Sequence, residues 1–275
     1  MTDTFRVIST LTAKELRDAG KSRWLLGFAA TFALVALGLS LTQAGGGGQQ
    51  GFTKTTAGLV NLCLLLVPLV ALVLGASAIV SERERGTLAS LLAQPVSPLE
   101  LLAGKFVGLT LAIWAAVTLG FGVAGLAIAL IYPVAGIGGY VEFVLLSAGL
   151  AMTMLAIGLL ISVASDGRMK ALGIALVLWF VLVLFYDLAA IGAAMAVSAS
   201  GRTLLLAVLV NPVEGARILA IIGLQPDLRI LGPLGAYLVN EVGVATTIVL
   251  LVGELIAWTA VPLFIAGRVF ANQDY

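Results

Sequence analysis

The segment SERERGTLASLLAQPVSPLELLAGK, residues Ser81–Lys105, lies between two long apolar runs, Ala57–Val80 and Phe106–Tyr132. Four of its first five residues are charged, whereas the two runs beside it contain no charged residue. A helix of about 20 apolar residues is long enough to cross a bilayer, and both runs exceed that length. We therefore interpret Ser81–Lys105 as a polar connection between two transmembrane helices.

The chain as a whole has the composition of an integral membrane protein. Of its 275 residues, 61% are hydrophobic and 11% are charged, whereas a soluble domain carries about 25% charged residues. Backbone polar groups inside lipid must bond within their own segment, so the apolar runs are predicted to be helices. We expect an all-α membrane fold with a single transmembrane domain, residues 1–275. The six predicted spans are Trp24–Thr42, Ala57–Val80, Phe106–Tyr132, Glu142–Ala164, Ala171–Met195 and Ala245–Gly267.

The positive charges are distributed unequally between the two sides of these spans. Eleven Lys and Arg residues fall on the side that holds both termini and residues 81–105, and four fall on the other side. Because cytoplasmic loops are enriched in Lys and Arg, both termini are predicted to be cytoplasmic. The net charge of +1 gives no indication of a nucleic acid partner.

Residues 4–23 are predicted to form a helix on the inner membrane surface. Phe5, Ile8 and Leu11 fall mostly on one helical face, while Lys14 and Arg17 lie elsewhere. This pattern is typical of an interfacial amphipathic helix. A solvated helical lead is the alternative.

The sequence lacks the residue types on which catalysis and metal binding most often depend. There is no histidine, which is the commonest general base and metal ligand. The one cysteine, Cys63, lies inside an apolar run. Gly104-Lys105 does not belong to a phosphate-binding loop, because Phe106 follows where Ser or Thr is needed. We expect no catalytic residue, no metal site and no bound cofactor on this chain.

The connection between the second and third spans has an internal pattern of turns and caps. Gly86 permits a sharp turn. Thr87 is predicted to cap a short helix, Leu88–Ala93, and Ser97 with Glu100 resembles the cap of a second helix. The second helix would continue into the third span.

Three leucines give this connection an apolar ridge. Leu88, Leu91 and Leu92 are grouped in a segment that should otherwise be polar. One interpretation is an ordinary loop whose charges solvate the helix ends. The other is a docking surface, because an exposed apolar ridge flanked by charge is a typical interaction site.

In order and spacing, the segment resembles the signature E-R-E-x-G-T-L-x-x-L-L-x-x-P-[VI]-S-x-x-E-x-x-x-G-K of ABC-2 type permeases, the six-helix membrane subunits of ABC exporters. The resemblance implies that Gly86–Leu92 is a coupling helix that docks on a separate ATPase dimer, where ATP and Mg would be bound. It also implies a homodimer in a bacterial inner membrane. The residues expected to couple to the ATPase are Glu82, Arg83, Glu84, Gly86, Thr87, Leu88, Leu91, Leu92 and Pro95.

Shorter motifs resemble the NosY-type permeases, which serve the maturation of nitrous oxide reductase. That family pairs the permease with a cytoplasmic ATPase and a periplasmic partner protein. The resemblance implies export of a sulfur-containing species, or a link to the periplasmic partner during assembly of a copper–sulfur centre. The motifs are Phe185-Tyr186-Asp187-Leu188, Asn211-Pro212 with Arg217, and Gly232–Leu238.

Residues 196–244 form a long periplasmic segment that is too apolar for a free loop. Asn211 can cap a helix whose first position is Pro212. We expect re-entrant helices here, with Asn211, Pro212 and Arg217 contacting the periplasmic partner. A pair of helices lying on the membrane surface is the alternative.

Two carboxylates are predicted to lie inside spans, Glu254 near the middle of the last one and Asp187 in the outer half of the fifth. An ionised carboxylate in hydrocarbon costs at least ~2.5 kcal/mol. The functional interpretation places both residues in a translocation path or dimer interface. The alternative for Glu254 is a protonated acid that is hydrogen-bonded to a neighbouring helix, and the alternative for Asp187 is a structural pair near a helix end.

Three alternatives to a NosY-type exporter remain open at the level of sequence. The chain could pass ATP-driven motion to a periplasmic partner without moving cargo, or it could export an unrelated substrate. An ion-driven secondary transporter is the third alternative. It would need paired carboxylates and internal repeats at mid-membrane, whereas the sequence places only Glu254 there.

Overall fold

The computed structural model describes residues 2–42, 49–93, 96–131, 137–186, 188, 200–224 and 228–273, and all regular structure in these residues is helical. The predicted all-α membrane fold is therefore confirmed. The helices are α1 (Thr2–Gly20), α2 (Arg23–Thr42), α3 (Gln49–Ala78), α4 (Val80–Glu84), α5 (Thr87–Leu92), α6 (Pro98–Ile131), α7 (Ile137–Ala164), α8 (Arg168–Trp179), α9 (Gly201–Val210), α10 (Pro212–Leu224), α11 (Pro233–Tyr237) and α12 (Val244–Ala271). Shorter turns complete the set: π-helices at Phe180–Phe185 and Leu238–Val242, and a 3-10 helix at Leu228–Leu231.

Five helical stretches in the described part of the chain are long and apolar enough to cross a membrane. They lie in α3, α6, α7, α12, and α8 with its π-helical continuation. The first predicted span coincides with α2, whose described apolar stretch is Leu26–Val35. The fifth predicted span ends at Met195, which lies outside the described residues.

The centre of the bundle is the crossing of α3 and α7, which is made possible by two glycines. A Cβ atom added at Gly158 would lie 2.7 Å from the Leu72 carbonyl oxygen and 2.9 Å from the Gly75 Cα. Close backbone approach at small residues is a common way for membrane helices to pack. Further along the same crossing, the Cys63 thiol donates a hydrogen bond of 3.0 Å to the Ser147 hydroxyl.

A series of edge-to-face aromatic contacts packs α2 against the centre of the bundle. The ring of Phe32 on α2 packs edge-on against Phe121 of α6, with 5.1 Å between centroids. Phe121 in turn packs edge-on against Phe143 of α7 at 5.2 Å. Edge-to-face aromatic pairs stabilise a core beyond the apolar area that they bury.

The helices α9 and α10 form a sharply bent pair, which we name the re-entrant hairpin after its predicted topology. Their axes differ in direction by 116° across the break at Asn211. Gly201, at the start of α9, lies against Tyr237 of α11, and Gly223, near the end of α10, lies against Glu142 of α7. Both contacts are at the end of the bundle that is farther from α5, so the hairpin enters and leaves on the same side. A break of this kind occurs in a broken span as well as in a re-entrant loop, so the re-entrant helices stay a prediction.

We expect Gly158→Ala to lower the melting temperature of the protein in detergent, because its methyl group would press against the backbone of α3. Overpacking of a well-packed core costs about 1–3 kcal/mol. Gly149→Ala on the same helix is the matched control, since a Cβ there meets nothing within 4 Å. Equal thermal stability of the two variants would contradict the close crossing.

Candidate functional site

The two ends of the Ser81–Lys105 segment meet in a buried ion pair. The Lys105 ammonium on α6 lies 2.8 Å from the Glu82 carboxylate on α4 and 2.9 Å from the Glu15 carboxylate on α1. Lys105 is only 2% exposed. Lys14 lies 3.9 Å from both carboxylates, so two anions face one buried and one half-exposed cation. This network holds α1, α4 and α6 together.

The helix α1 packs on α6 beside this ion pair. A Cβ at Gly104 would lie 2.6 Å from the Leu11 Cβ, so only glycine leaves room for that leucine. The Thr12 hydroxyl donates a hydrogen bond of 3.4 Å to the Gly104 carbonyl. Helix α1 thus packs against the Gly104-Lys105 end of the segment. The predicted position of α1 on a membrane surface stays a prediction.

Arg83 connects the segment to the C-terminal end of the chain. Its guanidinium donates to the Ser165 carbonyl at 2.9 Å and to the Gln273 side-chain oxygen at 2.6 Å. The amide of Gln273 donates in turn to the Val163 carbonyl at 3.1 Å. Hydrogen bonds that involve a charged group are stronger than neutral ones, so Arg83 fixes the last turn of α7 and the residues after α12 to α4.

Glu84 connects the segment to α8. Its carboxylate accepts a hydrogen bond of 2.6 Å from the backbone N–H of Arg168, the first residue of α8. An anion at a helix N-terminus is favoured by the helix dipole and by the free N–H groups there. Nearby, the exposed carboxyl of Asp166 has a lowered pKa, because Lys170 forms a hydrogen bond and an ion pair with it.

The turn before α5 and the helix caps on either side of it account for the residue types at further positions of the segment. Gly86 has a φ angle of 69°, a left-handed conformation that disfavours other residues. The predicted cap at Thr87 is wrong by one residue, since Gly86 occupies the cap position and the Thr87 hydroxyl donates to the Glu82 carbonyl. The predicted second cap is confirmed: the Ser97 N–H and hydroxyl both donate to Glu100, and Ser97 accepts from the Glu100 N–H.

The leucine ridge does not face outward as expected. Leu88 is 2% exposed and belongs to the main hydrophobic core, and Leu91 is half-buried. Apolar burial and the fixed turn at Gly86 rotate this face of α5 toward the bundle. The Leu92 side chain and Pro95 lie outside the described part of the structure. Among the described side chains of α5, the exposed ones are instead Thr87, Ala89 and Ser90.

A cavity of about 680 Å³ adjoins the side of α5 that holds Thr87, Ser90 and Leu91. Its walls include Glu15 and Asp18 of α1, Ser77 of α3 and Leu109 of α6, as well as Leu91 and Lys105. Closely packed interiors transmit displacement but do not absorb it. The open space beside α5 therefore allows this helix to shift relative to α1 and α6.

At the opposite end, the re-entrant hairpin surrounds Glu254. The carboxylate of Glu254 is packed against Gly215 of α10, and the residue is 7% exposed. Also on α10, the Glu214 carboxylate forms an ion pair of 2.7 Å with the Arg217 guanidinium. The other predicted intramembrane carboxylate, Asp187, lies outside the described residues.

Asn211 and Pro212 were expected to contact a periplasmic partner, but the structure buries both of them. Asn211 caps α10 by accepting from the Val213 N–H at 3.1 Å, as predicted. Its amide also donates to the Leu182 carbonyl at 2.7 Å, which ties the hairpin tip to the π-helical part of α8. These polar groups are buried because a hairpin tip inside the bundle must satisfy its backbone there. Of the three expected contacts, Arg217 alone is part-exposed.

Sequence reasoning missed four residues that complete the site: Glu15, Ser165, Arg168 and Gln273. Three of them contribute through a backbone group or a neutral amide, so no pattern of charged residues in the sequence indicates them. Glu15 could have been predicted, since it lies beside Lys14 on a helix with an apolar face. In the described residues, no group of three or more Cys, Asp or Glu side chains could hold a metal ion.

The fold and this site together define a multi-pass membrane protein with buried polar contacts at the α5 end and at the re-entrant hairpin. The chain belongs to the ABC-2 family of transporter proteins, which it matches over residues 9–275. It is 35% identical over 274 residues to the probable ABC transporter permease protein NosY of Stutzerimonas stutzeri, with 96% of this chain and 97% of the relative covered. It is 38% identical over 228 residues to the protein of the same name in Pseudomonas aeruginosa, with 79% of this chain and 82% of the relative covered. The chain is accordingly an ABC transporter permease subunit similar to NosY.

We expect Lys105→Met to destabilise the protein strongly, because it leaves two largely buried carboxylates with only the more distant, half-exposed Lys14 to compensate them. Breaking a buried ion pair from one side costs about 3–5 kcal/mol. Thermal unfolding in detergent would measure the loss. Lys170→Met is the control, since Lys170 pairs with Asp166 at the same distance of 2.8 Å but at the exposed surface, and its melting temperature should not change. An equally small effect of both substitutions would contradict the buried network.

Proposed function

We propose that this permease converts motion of a separate ATPase dimer into a rearrangement of its transmembrane helices through α5. The observation that carries the proposal is the triple attachment of Glu82, Arg83 and Glu84. These consecutive side chains join the start of α5 to α1 and α6, to the ends of α7 and α12, and to α8. A force on α5 would therefore reach most of the bundle.

The docking face is the exposed surface of α5. Ala89 is exposed away from the cavity, Thr87 and Ser90 are exposed where α5 borders the cavity, and Arg85 adds a positive charge at the beginning of the helix. Leu88 anchors the helix from the inside, so it supports docking without touching the ATPase. ATP and Mg would be bound entirely by the ATPase, and this chain would carry neither a cofactor nor catalytic residues.

The change would be a two-state switch. A partner can shift such an equilibrium only by binding one state better than the other. The cavity beside α5 provides the room for two positions of α5, and the Lys105 network provides a discrete set of contacts that can be remade. Closure of the ATPase dimer would favour one of these positions.

The same proposal includes the membrane, the orientation of the chain and its oligomeric state. The chain would span a bacterial inner membrane with α5 and both termini in the cytoplasm, and it would pair with a second copy of itself. Apolar side chains on α8, on its π-helical continuation and on α12, such as Val177, Phe185 and Val249, are exposed in the single chain. Lipid and the second copy would cover them.

The cargo is proposed from the resemblance to NosY-type permeases. The transporter would export a sulfur-containing species for assembly of the copper–sulfur centre of nitrous oxide reductase, together with a periplasmic partner. The second candidate is transmission of motion without cargo. It is favoured by a continuous line of bonds from Glu84 to the start of α8, and from Leu182 of the same span to Asn211 at the hairpin tip.

Ala89→Asp should weaken binding of the ATPase subunit and abolish its stimulation by the permease, because it places a desolvated charge in the docking face. Folding should be unaffected, since Ala89 is exposed. Binding is measured by co-purification, and stimulation by ATP hydrolysis in proteoliposomes. Thr10→Asp on exposed α1 is the control. Leu88→Ala should have the opposite effects: it should lower the thermal stability of the permease and leave its binding to the ATPase unchanged. A normally coupled Ala89→Asp variant would reject the docking face.

Gln273 is expected to position Arg83 for coupling. Gln273→Ala loses both hydrogen bonds, so the complex should bind ATPase normally but stimulate it less. Gln273→Glu can still accept from Arg83 and should recover most of the stimulation, whereas the neighbouring substitution Asn272→Ala should change nothing. If the wild type and all three variants stimulated the ATPase equally, the hydrogen bond between Arg83 and Gln273 would not be needed for coupling.

Proteoliposomes that contain the permease with its ATPase separate the two candidates. A volatile or thiol-reactive sulfur species appearing across the membrane only with ATP supports export. ATP turnover that changes the conformation of the hairpin, with no sulfur crossing, supports transmission of motion.

A further inference from the structure

We propose that Glu254 is a proton-binding site that holds the re-entrant helix α10 against the last span α12. Glu254 lies within the apolar span Val244–Ala271 and is 7% exposed. Both of its carboxylate oxygens are buried, and neither has a hydrogen-bond partner among the described residues. An acceptor group of this kind has to be satisfied by something.

The shape of the site restricts the ligand to a proton. The carboxylate fills the notch that the missing side chain of Gly215 leaves, and a Cβ built there would overlap one carboxylate oxygen and lie 2.9 Å from the carboxyl carbon. Between the carboxylate and the Gly215 backbone there is no space for a metal ion or an organic donor. Two buried oxygens also fall short of the ligand number that Ca²⁺ or Mg²⁺ requires.

Electrostatics favour the protonated acid over the carboxylate. An ionised carboxylate inside the membrane, without donors, loses its hydration and gains nothing in return. The charged groups on α10 are Glu214 and Arg217, which are paired at 2.7 Å. Glu214 therefore adds a second negative group near Glu254, while Arg217 is already engaged.

The remaining charged groups are on the neighbouring elements. Glu142 of α7 contacts Gly223, at the other end of α10. Arg202 is exposed at the start of α9, Glu241 is exposed on the π-helix before α12, and Arg268 is in the last turn of α12. Glu254 is thus left without a compensating cation in the described structure.

Binding of the proton has a structural consequence. The neutral acid can pack against the Gly215 backbone, and Leu251 and Leu255 on the same face of α12 complete an apolar contact with Ile218 and Leu219. Loss of the proton places a charge inside this contact. The hairpin would then separate from α12 and admit water. This inference concerns a different end of the protein from α5, and it holds whether or not α5 docks an ATPase.

Infrared spectroscopy of the full-length protein in lipid tests the protonation directly. At neutral pH we expect the carbonyl stretching band of a carboxylic acid, shifted in deuterated buffer as an O–H group requires. The band should disappear in Glu254→Gln and persist in Glu214→Gln, which keeps the same neighbours. Absence of the band from the wild type, or its persistence in Glu254→Gln, would overturn the proposal.

The contact itself is tested by the distance between spin labels at Ile221 on α10 and Val249 on α12, with Cys63 replaced by Ala. The wild-type distance distribution should be narrow at low pH and broaden as the pH rises and the proton is lost. Glu254→Gln mimics the neutral acid, so its distribution should stay narrow at every pH. A pH-dependent broadening that is the same in Glu254→Gln would show that another group controls the hairpin.

Discussion

The structure at the α5 end depends on one buried ammonium group. Lys105 is almost fully enclosed and lies within 3 Å of two carboxylates on two other helices. A buried cation of this kind is tolerated only where anions and good geometry compensate its lost hydration. Removing Lys105 would therefore leave two largely buried carboxylates with only the half-exposed Lys14 as a cation. This constraint fixes α1, α4 and α6 relative to one another, and it sets the position from which α5 projects.

The same constraint explains why so many residues of the Ser81–Lys105 segment are specific. Glu82 meets Lys105, Arg83 and Glu84 reach α7, α8 and the residues after α12, and Gly86 makes the turn that only glycine makes without strain. Gly104 admits α1. The segment is thus mostly occupied with holding itself in place. The exposed side chains that the structure describes on α5, Thr87, Ala89 and Ser90, are left for contact with a partner.

Much of the fold could be predicted because its causes are local. Span length follows from apolar run length, as in α7, and helix caps follow from side chains a few residues away, as in Ser97 with Glu100. The site could be predicted only in part. Glu15 and Lys105 are 90 residues apart in the chain, and Arg83 and Gln273 are 190 apart, so no local pattern relates them. The direction of Leu88 also escaped prediction, because an apolar ridge indicates burial without indicating whether the core or a partner buries it.

The central claim is that the buried network turns α5 so that its small exposed face, and not its leucines, meets the ATPase. A photo-crosslinking amino acid placed at position 90 or at position 88, in the assembled complex, measures this most directly. We expect a crosslink to the ATPase from position 90 and a crosslink only within the permease from position 88. A crosslink to the ATPase from position 88 and none from position 90 would contradict the account.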